Sequence, residues 1–225
     1  LLLPLDFDAM GIEKAELKAS EYAVIPSQSL FTIVYNTDLV KGDDIPKSWD
    51  DLLDPKWKGK IGTWVQGNYE SQMESVWGRE ATDKYVDGLL QQDIRVFDSN
   101  TSLGQAIASG ELEIGAAVYH PIVDVMNSGA PVKAVMGDPV FKSSNWTFVT
   151  KTSKVPNSAQ LFIAWLLTPE GNRAYEKVTH RGNIYLDTES AKLVDGLSTA
   201  EWDYPADLAK DADAIARYTA ALERG

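Results

Sequence analysis

The chain has 225 residues, 44% hydrophobic and 24% charged, the proportions of an ordinary globular protein with enough apolar material for one large domain or two small ones. Its net charge of −12 lacks the basic footprint that phosphate-backbone binding needs, so no nucleic-acid partner is expected. With no Cys and only His120 and His180, disulfides, thiolate chemistry and a poly-histidine metal site are excluded, and no apolar run nears the roughly 20 residues of a spanning helix, so direct membrane insertion is not expected.

The opening Leu1-Leu-Leu-Pro-Leu5 has neither a Met nor a signal-peptide pattern and reads as the interior of a longer polypeptide. Leu30 to Val34 is an apolar run of buried-strand type. Ser48 is placed to cap a short helix with Asp51 at its third position, ended by Pro55. Lys60 to Trp64 is the next expected strand and Asn68 to Trp77 a helix. Residues 81–91 are amphipathic, with Tyr85, Val86, Leu89 and Leu90 on one face. Ile94 to Phe97 is a strand, and Asn100 or Thr101 caps a helix that Gly110 stops. Ile114 to Val118 and Val132 to Met136 follow as strands. Trp146 to Thr150 alternates like another. Pro156 begins a helix with Ala159, Leu161, Phe162, Trp165 and Leu166 apolar. Thr168 caps the next, with Pro169 at its first position. A last helix is expected from Pro205 to Arg224, facing inward through Leu208, Ala212, Ile215 and Tyr218. Strands and helices alternating with short turns predict an α/β sheet with helices on both faces.

Three segments carry a family signature. YNTDLV at residues 35–40 leads into SWDDLLDPKWKGKI at 48–61; PNSAQLFIAWLLTPEGNRAYEK occupies 156–177; between them lies FDSNTSLGQAIASGELEIGAAV at 97–118. In this order they resemble the extracellular, family-1 solute-binding proteins of ABC importers, nearest the ferric-iron-type branch, with the polyamine-type branch as neighbour. The resemblance implies a two-lobed periplasmic-binding-protein-like fold of type II, with a solute gripped in the inter-lobe cleft and the closed form docking on the transmembrane permease subunits of an ABC importer. On that pattern residues 1–32 and 144–184 form a partial first lobe, 33–143 the second, and 185–225 a C-terminal helical segment. The first βαβ units of the first lobe have no counterpart, so apolar edges are expected to be left for another segment or an association to cover. The implied location is periplasmic or extracellular.

Loops and helix starts at strand ends are where such proteins bind. Four places qualify. Trp64 to Tyr69 joins a strand to a helix; Gly67 would let the backbone approach a ligand, with Asn68 and Tyr69 beside it, or the stretch is a plain capped turn. Ser99 to Ser102, through Ser99 and Thr101, either caps a helix or contacts solute, or both. Tyr119 and His120 follow a buried strand. In the iron-type branch paired tyrosines stand here as phenolate ligands. The Tyr-His pair here could hold a ferric ion, or could hydrogen-bond a carboxylate, sulfonate or phosphonate, or form a surface turn. Ser27, Gln28 and Trp146 lie at the two implied inter-lobe crossings and serve either the cleft or the core. The other tryptophans are read as packing residues. No cofactor is expected; ferric ion enters only as a transported ligand.

No enzymatic activity is expected. G-x-S-x-G, G-x-G-x-x-G and P-loop patterns are absent, and no pair among the 33 acids has an unusual context. Two alternatives stand beside the importer reading of a captured organic anion or ferric ion: a metabolite-sensing effector domain of a regulator, and a polyamine-binding importer component.

Overall fold

The computed structural model describes residues 1–204 and 206–224. In chain order, β1 (Lys18–Ser20) is followed by β2 (Ala23–Asn36), β3 (Ile61–Trp64), α1 (Asn68–Trp77) and α2 (Arg79–Leu90). Next come β4 (Arg95–Phe97), α3 (Asn100–Ala108), β5 (Ile114–Val118), α4 (Tyr119–Asn127), β6 (Val132–Val135) and β7 (Val140–Phe148). The chain closes with α5 (Pro156–Leu166), α6 (Pro169–Thr179), α7 (Glu189–Leu193), β8 (Thr199–Ala200) and α8 (Leu208–Leu222). It divides into two compact units. One holds Leu1–Ser29 with Ser143–Gly196, the other Leu30–Lys142 with Leu197–Gly225. The strands β2 and β7 carry the chain from one unit to the other.

The second unit is an α/β sandwich. β4, β3 and β5 run parallel; β2 is antiparallel to β5 and, on its other side, to β6. Alternate side chains of β2 and β5 feed opposite faces. Ile33, Tyr35, Ile114 and Ala116 pack with Tyr69 and Met73 of α1 and Tyr85, Val86 and Leu89 of α2. Val34 and Ala117 pack with Leu103 and Ile107 of α3 and Ile122 and Val125 of α4. Helices therefore cover both faces, as the alternation of elements predicts.

The SWDD segment supplies the plug of the first of these layers. Trp49 is buried, stacked on Tyr69 at 5.4 Å and 20° and tilted on Phe141 at 5.6 Å; its Nε1–H donates to the Pro139 carbonyl at 3.0 Å. The helix it begins is a five-residue 3-10 turn, Trp49–Leu53. The Asp51 carboxylate accepts the N–H of Lys47 at 2.7 Å and of Ser48 at 2.9 Å. Burial opposes its ionisation, but these two donors, together with the Ser48 hydroxyl and the Lys56 charge, outweigh burial and hold the group below the usual carboxylate range.

In the first unit Leu5, Ile12, Leu17, Val24, Val149, Ile163, Leu167 and Leu186 form the core. The TPEGN turn has a packing reason. Thr168 caps α6 by accepting Gly171 N–H at 3.1 Å, and a Cβ on Gly171 would fall 2.0 Å from the Trp165 carbonyl oxygen, so only glycine fits. Asn172, fully buried, donates to the carbonyls of Pro26 (2.7 Å) and Leu166 (3.1 Å) and accepts Asn183 N–H (2.8 Å), tying α6 to β2.

Several expectations shift. The strand placed at 30–34 extends over 14 residues of β2, and the one placed at 146–150 is β7, begun six residues earlier. Of the apolar residues named for α5, Leu161, Phe162 and Trp165 are exposed and Leu166 is buried, as is Ile163. α8 buries Asp211, Ala214, Tyr218 and Leu222, and Leu208 is exposed, so the buried stripe is rotated from the expected one. Pro205, the expected start of that helix, lies outside the described residues. Residues 185–225 do not stand apart as one segment, since 185–196 join the first unit and 197–225 the second.

Glu70 of α1 is fully buried, and neither carboxyl oxygen makes a hydrogen bond of good geometry. Burial pushes its pKa up to about 8, against smaller opposing effects of the local backbone and Tyr69. The folded protein then holds a proton that the unfolded chain releases above its ordinary value of 4.5. Unfolding is favoured progressively as pH rises from about 4.5 to 8, with a plateau beyond, and the contribution reaches at most roughly 5 kcal/mol. Urea unfolding at pH 5, 7 and 9 is expected to show wild type losing stability along this series relative to Glu70→Gln. Parallel profiles for the two proteins contradict the assignment.

Candidate functional site

Parallel strands end at one edge of a sheet, and the helices that follow them start there. In the second unit β3, β4 and β5 bring α1, α3 and α4 to a common edge. The register fixes this: Thr63 is opposite Val96 of β4 and Ala116 of β5, and Val118 at the end of β5 is opposite Phe31 of β2. Trp64, Asn68, Ser99, Thr101, Tyr119 and His120 thereby share one edge, although the sequence separates the first from the last by more than fifty residues.

The connections are tied to one another. Val65 N–H donates to the Phe97 carbonyl at 2.9 Å, and Trp64 Nε1–H to the Asp98 carbonyl at 3.3 Å. Ser99, not Asn100 or Thr101, is the cap of α3, accepting Ser102 N–H at 3.1 Å. Asn100 has another task that residue-by-residue reading missed. It is buried, and its Oδ1 accepts the N–H of Val118 at 2.8 Å, locking the start of α3 to the end of β5 just before Tyr119. Thr101 is exposed on the first turn of α3; Tyr119 and His120 are half-buried on the first turn of α4.

The electrostatics of the edge favour negative charge. The helices that begin here have nine or ten residues each, and their N-terminal dipole ends point to it. Gly67 and Val118 give α1 and α4 no side-chain cap. Across residues 64–69, 97–102 and 118–121 the sequence carries a single acid, Asp98.

Two expectations at this edge are corrected. Tyr69 does not line it: the ring is buried between Trp49 and Phe31, with centroids at 5.4 and 6.1 Å. Gly67 does not open the backbone to a ligand, because its free side is filled by α8; a Cβ there would lie 2.5 Å from Tyr218 Cβ. Ser27, Gln28 and Trp146 belong to the first unit. Ser27 and Gln28 are buried; Ser27 accepts Asn145 Nδ2 on its Oγ at 3.3 Å, and Gln28 Oε1 accepts Ile184 N–H at 3.0 Å, so both are engaged in strand packing. Trp146 is half-buried on β7. Among the described residues no group of three or more His, Cys, Asp or Glu is placed to hold a metal ion, and no helix is long and apolar enough to cross a membrane.

Comparison with known proteins places these features. The profile of the bacterial extracellular solute-binding proteins matches residues 6–195. The Fe(3+)-binding periplasmic protein of Serratia marcescens is 25% identical over 195 residues, which are 78% of this chain and 57% of that protein. The match thus spans little more than half the length of that relative, and 39% of a second curated relative, an uncharacterized protein of Haemophilus influenzae. Among solved structures, the Atu4243–GABA receptor superposes with a TM-score of 0.75 at 23% identity, covering 99% of this chain and 75% of that one. Iron-bound HitA from Pseudomonas aeruginosa gives 0.76 at 20% identity, covering 98% and 76%. These structures share the fold, an α/β fold of the periplasmic-binding-protein type.

Asn100→Ala is expected to cost about 1–3 kcal/mol in urea denaturation, because the Val118 N–H is left buried without its acceptor. Thr101→Ala, at an exposed position, is expected to stay within about 0.5 kcal/mol of wild type. Equal midpoints for wild type and Asn100→Ala remove Asn100 from this role.

Proposed function

The chain belongs to the bacterial extracellular solute-binding proteins, and from that premise we propose that it is the non-catalytic, solute-capturing component of an ABC importer, taking a small anionic solute at the strand-end edge of its second unit for delivery to a membrane permease outside the cytoplasm. The observation that carries the anionic class is the common edge where α1 and α4 begin without a side-chain cap. First-turn N–H groups have no partner within their own helix; in α1 the Asn68 N–H already bonds the Gln66 carbonyl at 2.8 Å, and in α4 Pro121 carries none, so the Tyr119 and His120 N–H groups are the donors this reading gives a carboxylate or phosphate. Tyr119 and Thr101 add hydroxyl donors, and His120 an imidazole. The carboxylate end of the zwitterionic GABA named for one structural relative accords with this edge. Polyamine capture needs acids to neutralise its ammonium groups, and Asp98 alone is a thin supply.

A ferric-ion reading has its own support. The Serratia relative is named for Fe(3+), and HitA was solved with iron bound. Tyr119 is a hard phenolate donor and His120 a borderline nitrogen donor suited to such a cargo.

Calorimetry with 4-aminobutyrate, glycerol 3-phosphate, spermidine and ferric ion separates these readings. One of the two ligands that carry an anionic group, the zwitterionic 4-aminobutyrate or the anionic glycerol 3-phosphate, is expected to bind and spermidine is not. Tyr119→Phe is expected to weaken that ligand by about 10- to 100-fold, the loss of one hydrogen bond to a charged group. Binding of spermidine alone overturns the anionic reading. A visible charge-transfer band on adding ferric ion, abolished in Tyr119→Phe, replaces it with the iron reading.

A further inference from the structure

The family match ends at residue 195, yet α8, beyond it, reaches the strand-end edge. The Gly67 N–H, at the start of α1, donates to Thr219 Oγ1 of α8 at 3.0 Å. The approach is close: a Cβ on Gly67 would meet Tyr218 Cβ at 2.5 Å and Thr219 N at 2.7 Å. The backbone joining β3 to α1 therefore lies flat against α8 and is bonded to it.

α8 has independent anchors deeper in the unit. The Asp211 carboxylate accepts Ser71 Oγ at 2.6 Å and Gln72 Nε2 at 3.1 Å, and also the hydroxyl of Tyr204. Tyr218 O–H donates to Glu74 at 2.6 Å, and Arg217 pairs with the same carboxylate at 2.8 Å. Burial opposes ionisation of Glu74, but Arg217 and then Tyr218 outweigh it and keep the carboxyl charged. Ala214 and Leu222 are buried beside these groups. With α8 held in this way, the Thr219 hydroxyl is not needed to keep the helix in place. Its bond goes to the loop.

We infer that Thr219 is a positioning residue for the solute site: by accepting the Gly67 N–H it fixes the backbone of residues 64–69 and the first turn of α1, so the C-terminal helix sets solute affinity without touching the solute. This rests on the reading of that edge as the solute site. A loop released from α8 spends part of its time outside the binding conformation, and apparent affinity falls by that fraction.

The test pairs Thr219→Val, which keeps shape and removes the acceptor, with Thr219→Ser, which keeps the acceptor. Two readouts are taken: amide exchange at Gly67 by NMR, and calorimetric binding of 4-aminobutyrate and glycerol 3-phosphate. Thr219→Val is expected to exchange Gly67 about 10-fold faster and to bind the anion about 5-fold more weakly. Its unfolding midpoint should stay near wild type, and Thr219→Ser should restore both values. Should Thr219→Val fail to fold, Thr219→Ala set against Thr219→Ser gives the same comparison. Unchanged Gly67 exchange in Thr219→Val overturns the inference, as does faster exchange with unchanged affinity. Tyr119→Phe run alongside separates the two levels: if it too leaves affinity intact, the reading of the edge fails, whereas a loss in Tyr119→Phe alone fails Thr219 only.

Discussion

Tyr69, Glu70, Ser71, Gln72 and Met73, five consecutive residues of α1, are all buried. No helix can hide five residues in a row against one neighbour, because five residues sweep more than a full turn of the surface. α1 must be covered on two sides, by the sheet and by a second layer, and α8 is that layer. The rest of the second unit follows from it. Met73 and Tyr69 face the sheet and the Trp49 plug; Ser71 and Gln72 turn the other way and find the Asp211 carboxylate. Trp202 completes the closure, its Nε1–H donating to Ser71 Oγ at 2.9 Å and its backbone N–H to Gln72 Oε1 at 3.1 Å. A polar helix in a buried place is stable only when each polar group has a partner, and the C-terminal residues provide them. Glu70 lies outside that network, and it is the group whose protonation the fold must hold.

The same constraint bears on function. Strand ends and helix starts offer backbone donors only if the helices are rigidly seated. α3 is seated by Asn100 on β5, and α1 by α8. The edge they define is fixed by hydrogen bonds between backbone and a few side chains, while Thr101 is exposed on it.

Much of this was legible in the sequence. The strands at 61–64 and 114–118 and the helices at 68–77 and 156–166 follow from periodicity and punctuation, and the tryptophan-rich segment at 48–61 and the TPEGN turn at 168–172 mark the family. The edge was legible too, as three loops following three strands. What was hidden depends on tertiary partners. α1 reads NYESQMESVW, a sequence with no apolar stripe wide enough to announce burial, because its inward polar groups are satisfied from residues about 140 positions away. For the same reason the sequence pattern puts Tyr69 at the edge although its ring belongs to the Trp49 stack, and leaves Gly67 to either a ligand or a plain capped turn although the space beside it belongs to Tyr218. The stripe on α8 was misjudged because Asp211, a charged residue, is its most buried polar contact. Asn100 left one signal, an amide directly after a capping serine, which points to a second hydrogen-bonding task at a helix start.

The central claim is that a solute docks where α1, α3 and α4 begin in the second unit. The most direct measurement is amide chemical-shift mapping by NMR as 4-aminobutyrate and glycerol 3-phosphate are titrated in. The account predicts saturable shifts concentrated in residues 64–69, 98–102 and 119–121. Shifts confined to the groove of the first unit between Met10–Leu17 and Ala164–Pro169, with none at the three helix starts, would contradict it.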